Sequence, residues 1–268
     1  MRISFVGGGV MAEALVGGIL EARLATSEEI SIGEPVESRR TYLETQYGLK
    51  THAVNSDTLD GADMAVLAVK PQNLPAVMSD LSDGVSGDLA VVSIVAGAKM
   101  GTLVRGLGHP AVIRVMPNTP AQIGAGMSVW TAAPDVSEAK IDATRQILQT
   151  LGEEIYVTDE KLIDMATALS ASGPAYVFLF IESLIDAGVY LGMPRDMARK
   201  LVLQTVSGST KLVKESGRHP AELKDMVTSP AGTTIEALLA LEKGGFRASV
   251  LQAVIAAHER SEALGKKD

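Results

Sequence analysis

Two short stretches carry residue types and spacings that could do chemistry. The first, Gly7-Gly8-Gly9-Val10-Met11-Ala12, fits G-x-G-x-x-G/A with Ala12 in the third slot. Gly7 permits a tight turn, Gly9 lets backbone approach a pyrophosphate, and Ala12 allows a helix to pack closely on a strand. The second lies far downstream, where Ser229-Pro230-Ala231-Gly232-Thr233-Thr234 separates two helical patterns. Thr233-x-x-Glu236 reads as a capping box, so a helix is expected to start there. Ser229, Gly232, Thr233 and Thr234 would then gather at a helix N-terminus. Free amides and hydroxyls in that position hold a carboxylate without needing a cation. For Thr233 taken alone, plain helix capping is the favoured account; for the whole hydroxyl-Pro-Gly cluster it is not.

A phosphate loop works only if a strand delivers it and a helix follows it, and the surrounding sequence provides both. Ile3 to Val6 reads as a buried strand and Met11 to Glu21 as a helix. Apolar runs at Ile30–Ile32, Met64–Val69, Leu89–Val95 and Ala111–Met116 read as further strands, with a polar helix over 36–47. Strands that are apolar throughout suit a parallel sheet buried on both faces, and their alternation with helical patterns points to βαβ units. The strand signal fades near residue 158. Beyond it, helices are expected over 159–170, 174–192, 195–215, 219–227, 234–243 and 246–263, divided by Gly and Pro breaks. The expected architecture is α/β: a Rossmann-type doubly wound parallel sheet over 1–158, which binds a dinucleotide, followed by an all-helical domain over 159–268.

That sheet places other residues where ligands of such folds bind, at the carboxyl ends of its strands. Glu34 ends the second strand and could take the adenine ribose hydroxyls, favouring NADH. Arg39 and Arg40, a turn away, could instead hold a 2′-phosphate, so NADPH and NADH both stay open. Ala68-Val69-Lys70-Pro71 follows the central strand, with Lys70 a candidate cofactor neighbour and Pro71 suited to a first helical turn. Met116-Pro117-Asn118-Thr119-Pro120 occupies the same edge and makes a rigid polar loop, with Asn118 a candidate floor for the nicotinamide.

Composition narrows the classes. The chain has 268 residues with 46% hydrophobic content, enough for one large or two modest cores. A formal net charge of −8 argues against nucleic acid or an anionic membrane as a partner. With no cysteine, disulfides, thiolate metal sites and a Cys nucleophile are excluded, and no metal is expected. The most apolar stretch, Ala175 to Ile181, stops at Glu182, shorter than the roughly 18 residues of a spanning helix. A cytoplasmic protein is the expectation. The same stretch is apolar all round its helix and has to be buried, either within its own domain or by a second copy.

The segment from Pro220 to Glu242 resembles, nearly position by position, the signature of pyrroline-5-carboxylate reductases, P-x-x-L-x-x-x-V-[TS]-S-P-x-G-x-T-x-x-A-L-x-x-L-E. The glycine loop, Ala68–Pro71, Ser93–Gly97, Met116–Pro120, Ala171–Tyr176 and Gly244–Arg247 resemble the same family in the right order along the whole chain. The resemblance implies a helical domain that interlocks with a partner to form a homodimer, and dimers in this family often assemble into decamers. It also implies an active site between the nicotinamide of one subunit and helices contributed partly by the other.

The implied substrate is Δ1-pyrroline-5-carboxylate, reduced with NADPH or NADH to L-proline, the last step of proline biosynthesis. Ser229 with the amides of Gly232, Thr233 and Thr234 would hold the carboxylate. The Thr234 hydroxyl would meet the ring nitrogen, donating to an imine or accepting from an iminium. His52, His109, His219 and His258 are scattered, with His219 best read as a helix-start residue, so the imine is expected to take its proton from water. Reductases of β-hydroxy acids place a Lys on a helix of the second domain, and Ser172 to Gly192 contains none. A different cyclic imine and a non-catalytic dinucleotide sensor remain as rivals.

Overall fold

A computed structural model describes residues 1–85 and 87–265; residues 266–268, the end of the expected helical domain, lie outside the described residues. By compactness the chain divides into Met1–Ser172 with Ala257–Asp268, and Gly173–Ala256.

The first unit is built on an eight-stranded sheet. In chain order its elements are β1 (Ile3–Val6), α1 (Val10–Glu21), β2 (Ile30–Gly33), α2 (Glu37–Tyr47), β3 (Lys50–His52), β4 (Met64–Leu67), α3 (Leu74–Leu81), β5 (Ala90–Ser93), α4 (Met100–Leu107), β6 (Val112–Met116), β7 (Gly126–Ala132), α5 (Glu138–Gln149), β8 (Gly152–Tyr156) and α6 (Lys161–Ala166). The strand order is β3-β2-β1-β4-β5-β6-β7-β8. All neighbours are parallel except β6 and β7. The order reverses between β1 and β4, the switch point at which doubly wound sheets bind their ligands.

Alternation along each strand sends one set of side chains to each face. Phe5, Val66, Val92 and Ile113 meet Leu15, Val16 and Ile19 of α1 and Ile147 and Leu148 of α5 on one side. Val6, Leu67, Val91 and Val112 meet Leu74, Val77 and Met78 of α3 and Leu103 of α4 on the other. Each such fully buried side chain contributes about 1.5–3 kcal/mol of transfer free energy. This is why the central strands read as largely apolar runs.

Three strands escape the sequence reading. β3 is three residues long and polar. β8, Gly-Glu-Glu-Ile-Tyr, is an edge strand in which Glu153 is exposed while Glu154 turns in, its side chain 13% exposed. β7 begins with Gly126 and carries the buried Ser128 and Thr131. It runs antiparallel because the Pro-rich connection from β6 is too short for a parallel crossover. Trp130, fully buried, pins β7 to β8: its Nε1 donates to Glu154 Oε2 at 2.6 Å, and its ring meets Tyr156 edge-on at 4.8 Å.

The compact units divide after Ser172, where the sequence reading has a boundary at 158/159. The physical reason is Arg114, only 2% exposed, which reaches from β6 to Glu160 Oε1 at 2.6 Å and Asp164 Oδ1 at 2.7 Å. Glu160 Oε1 also accepts from the Met100 amide at 2.7 Å. These bonds hold the segment after residue 158, including α6 and the π turn Thr167–Ala171, in the sheet unit.

The second unit holds α7 (Gly173–Tyr190), α8 (Arg195–Ser216), α9 (Pro220–Met226), α10 (Thr233–Lys243) and most of α11 (Phe246–Leu264). α7 and α8 cross closely at Gly188, where a Cβ would lie 2.9 Å from that of the buried Ala198. α7 buries no residue within the chain, and Phe178 and Leu179 are 60% and 64% exposed. Burial of its apolar run within its own domain is therefore not what the chain does. The helical stretch Lys161–Tyr190, 30 residues containing an 18-residue window of mean hydropathy 1.5, is long and apolar enough to cross a membrane by length and composition. This corrects the expectation that the apolar segment is too short, which counted only its charge-free centre.

Candidate active site

The glycine loop leaves β1 and turns at Gly7, whose φ of +97° is a region that favours glycine. Space requires glycine there as well, since a Cβ would stand 2.8 Å from the Ala68 carbonyl oxygen and 3.1 Å from Val69 Cγ1. The turn is closed by the Gly7 amide on Gly33 O at 2.8 Å. Gly7, Ala68 and Val69 are thus brought together at the carboxyl ends of β1 and β4. Lys70 follows, exposed and extended, its carbonyl oxygen accepting from the Asn73 amide at 2.9 Å, and Pro71 opens a short 3-10 turn at its first position.

Gly9 is the N-cap of α1, with no side chain to satisfy the first amides and nothing within 4 Å of where a Cβ would be. The free amides of that first turn, those of Val10, Met11 and Ala12, therefore face open space. A cradle of this kind fits a pyrophosphate. Gly9→Val is expected to fold with nearly unchanged melting temperature, because φ of −68° suits any residue. It should nonetheless weaken dinucleotide binding by about 10²-fold or more by filling the phosphate space. Calorimetric titration beside a thermal melt checks both halves.

Behind the loop sits a polar cluster that the sequence reading missed. Arg39 Nε donates to Gly8 O at 2.5 Å, and its Nη2 donates to Glu13 Oε2 at 2.5 Å. Tyr42 and Tyr47 donate to Glu13 Oε1 at 2.8 and 3.0 Å. Partial burial pushes the Glu13 carboxyl upward, but the bonds from Arg39, Tyr42 and Tyr47 outweigh it and hold the group below its ordinary value of 4.5. Burial, then Glu13, pushes the Tyr47 phenol up to about 12. The only sequence signal for this cluster was the i, i+3 and i+8 spacing of Arg39, Tyr42 and Tyr47 on one polar helix.

Because the folded-state pKa of Glu13 is depressed, its contribution to stability is present above the unfolded carboxylate value and is lost as pH falls through the folded one. Glu13→Gln should therefore lower the melting temperature near neutral pH, and the two proteins should converge towards about pH 3. A gap that persists unchanged in acid would contradict this account.

Glu34 has its carboxylate fixed on the Gly8 and Val36 amides, each at 3.0 Å. Asn118 is committed to structure. Its Oδ1 accepts from the Met127 amide at 2.9 Å, and its Nδ2 donates to Ser170 Oγ at 3.2 Å and to Ser170 O at 3.3 Å. It ties the loop after β6 to the π turn. Ala121–Gly124, just beyond it, share a groove of about 670 Å³ with Val10 and Glu13 of α1.

In the second unit the hydroxyl-rich turn differs from the expected capping box. The N-cap of α10 is Gly232, so Thr233 and Thr234 are the first two helical residues rather than the cap and the first helical residue. The shift follows from the turn's own hydrogen bond: the Gly232 amide donates to Ser229 O at 3.1 Å, with Ala231 at a φ of +55°. A Cβ on Gly232 would collide with Ser229 Oγ. The Gly232 amide is therefore spent inside the turn, leaving those of Thr233 and Thr234 free at the helix start. Among the described residues neither threonine hydroxyl has a hydrogen-bond partner, and Ser229 is exposed. His219 caps α9, its Nδ1 accepting from the Ala221 amide at 3.2 Å, and His109 is buried against Leu89 O at 2.6 Å. Among the described residues no cluster of His, Asp or Glu could hold a metal ion.

Residues 160–264 match the family model described as pyrroline-5-carboxylate reductase dimerisation, and residues 2–97 match that of the coenzyme F420-dependent NADP oxidoreductases. The chain is 43% identical to the pyrroline-5-carboxylate reductase of Synechocystis sp., covering 100% of this chain and 99% of that one. It is 40% identical to that of Escherichia coli, covering 99% and 98%. Among solved structures it resembles pyrroline carboxylate reductase of Plasmodium falciparum with NADP bound, at a TM-score of 0.91 and 35% identity, covering 99% and 98%.

Proposed function

This chain belongs to the pyrroline-5-carboxylate reductase family, and from that premise we propose how its own residues carry out the reaction. The activity is the NAD(P)H-dependent reduction of Δ1-pyrroline-5-carboxylate to L-proline, the last step of proline biosynthesis, and the chain self-associates through its helical region.

Gly7 through Ala12 would hold the dinucleotide, the backbone at Gly9 and the first amides of α1 taking the pyrophosphate. Ala68, Val69, Lys70 and Pro71 would flank it at the switch point, and Asn118 would shape the nicotinamide floor from its fixed place beside Ser170. When bound, the reduced cofactor supplies hydride to the imine carbon. The chain itself has to seat the substrate carboxylate, orient the C=N bond and tolerate the change in charge at nitrogen.

The observation that carries this assignment is the start of α10, where two free amides and two unpartnered threonine hydroxyls stand together with the exposed Ser229. The amides of Thr233 and Thr234 with Ser229 would bind the carboxylate, aided by the positive end of the helix. Gly232 closes the turn and keeps its surface open. The Thr234 hydroxyl would hydrogen-bond the ring nitrogen in either protonation state. With His109 and His219 both engaged in structure, proton delivery falls to water, and rate enhancement comes chiefly from positioning and electrostatics.

The dimerisation and substrate-binding domain is taken as 159–268, and the exposed apolar face of α7 as surface that a second copy covers rather than a membrane anchor. A cytoplasmic location and assembly of dimers into decamers complete the proposal. Mixing enzyme, pyrroline-5-carboxylate and each reduced cofactor, following absorbance and identifying the product, tests the central reading. Formation of L-proline supports it, and cofactor oxidation without proline would overturn it.

A further inference from the structure

At the carboxyl end of β2, both oxygens of Glu34 are held in place: Oε2 accepts from the Gly8 amide and Oε1 from the Val36 amide, each at 3.0 Å. We propose that Glu34 is the residue that sets cofactor choice, selecting the dinucleotide with a free adenine-ribose diol, so that NADH binds more tightly than NADPH. The inference deepens the reading above and rests on the Gly7–Ala12 loop being the dinucleotide site.

The position is the first ground. The Glu34 side chain packs against the cofactor loop itself, with its Cβ 3.4 Å from where a side chain on Gly8 would begin. Its backbone is fixed by its own amide on His52 O at 2.9 Å. Beside it, Asn55 packs closely on Gly33, where a Cβ would fall 2.6 Å from Asn55 Oδ1 and 2.8 Å from Asn55 Cα, which fixes the strand end from which Glu34 projects.

The second ground is hydrogen-bond capacity. A carboxylate offers about four lone-pair positions, two on each oxygen. The two amides take one on each, leaving one per oxygen, which matches the two donors of a vicinal 2′,3′-diol. A 2′-phosphate removes one of those donors and brings charge of the same sign against an anion that two backbone amides hold in place.

The third ground is the state of the cations that could answer such a phosphate. Arg39 is bonded to Gly8 O and Glu13. Arg40 Nη1 donates to Glu34 O at 2.8 Å and Pro35 O at 3.0 Å. Both guanidinium groups already brace the turn that presents Glu34.

Calorimetric titration of the full-length enzyme with NADH and with NADPH, without substrate, tests the proposal. The wild type should bind NADH at least about tenfold more tightly. Glu34→Gln, which keeps the shape and removes the charge, and Glu34→Ser, which also opens space, should each shift the affinity ratio towards NADPH by about tenfold or more. Thermal melts of both variants verify that they fold. Equal or tighter NADPH binding by the wild type would overturn the proposal, as would a ratio that neither substitution moves. So would Arg40→Met selectively weakening NADPH, because the guanidinium would then be serving a 2′-phosphate. If neither cofactor bound at all, the loop assignment itself would fail, and the proposal with it.

Discussion

Replacing Thr234 by valine should lower kcat by about 10²–10³, the cost of removing one preorganised donor from a reacting centre. The substitution is close to isosteric and keeps β-branching, so the first turn of α10 should form as before. In the chain itself nothing depends on the hydroxyl: Thr234 is half-buried at the second helical position, and its Oγ1 has no hydrogen-bond partner among the described residues. The loss should therefore appear in turnover and leave the melting temperature nearly intact.

The partition between constants is equally informative. A group that meets the ring nitrogen acts as charge changes there, so its removal should depress kcat and kcat/KM together. Ser229→Ala, which would remove the proposed carboxylate contact, should instead raise KM with kcat largely kept. A Thr234→Val enzyme with wild-type steady-state kinetics would end the assigned role.

The second large effect is on stability. Arg114→Met should destabilise the protein by about 3–5 kcal/mol, because it leaves buried carboxylate behind without its cation. Asp164 is 12% exposed in its side chain and Glu160 33%, and both face the same guanidinium. The loss would be read as a lower urea midpoint at an unchanged slope. Replacing all three residues by apolar side chains of similar volume should recover most of it, since a buried ion cluster gains little over good packing. Failure of the triple substitution to recover stability would show that the Met100 amide and the π turn need Glu160 and Asp164 for themselves. Because Arg114 fixes the segment leading to Ser170, and Ser170 holds Asn118, the single substitution should also loosen the loop after β6.

Some features were legible in the chain because they depend on local chemistry. Gly7 announces a tight turn by position and spacing, and the structure has that turn, with crowding at Gly7 and open space at Gly9. The largely apolar runs of β1, β4, β5 and β6 announce a sheet covered on both faces. His219 announces a helix start, which it provides. Other features fell short because their signal is non-local. β3 and β8 are edge strands whose polar composition fits solvent as well as pairing. β7 owes its direction to a short connection, which no residue pattern in the strand records. The capping box at Thr233 failed by one position, because the Gly232 amide turned back on Ser229 and moved the cap.

From the sequence came everything a residue settles with its near neighbours: the glycine loop and the helix it opens, the hydroxyl-rich turn, the likeness to a family of imine reductases, and the change from sheet to helix along the chain. Only the tertiary structure decided which distant groups meet. It placed Arg114 against Glu160 and Asp164, closed Arg39, Tyr42 and Tyr47 on Glu13, and fixed Glu34 on Gly8 across 26 residues of chain. The reason is that hydrogen-bond and charge partners are chosen by where the backbone brings them, and a polar residue read alone fits exposed surface as well as a buried pair.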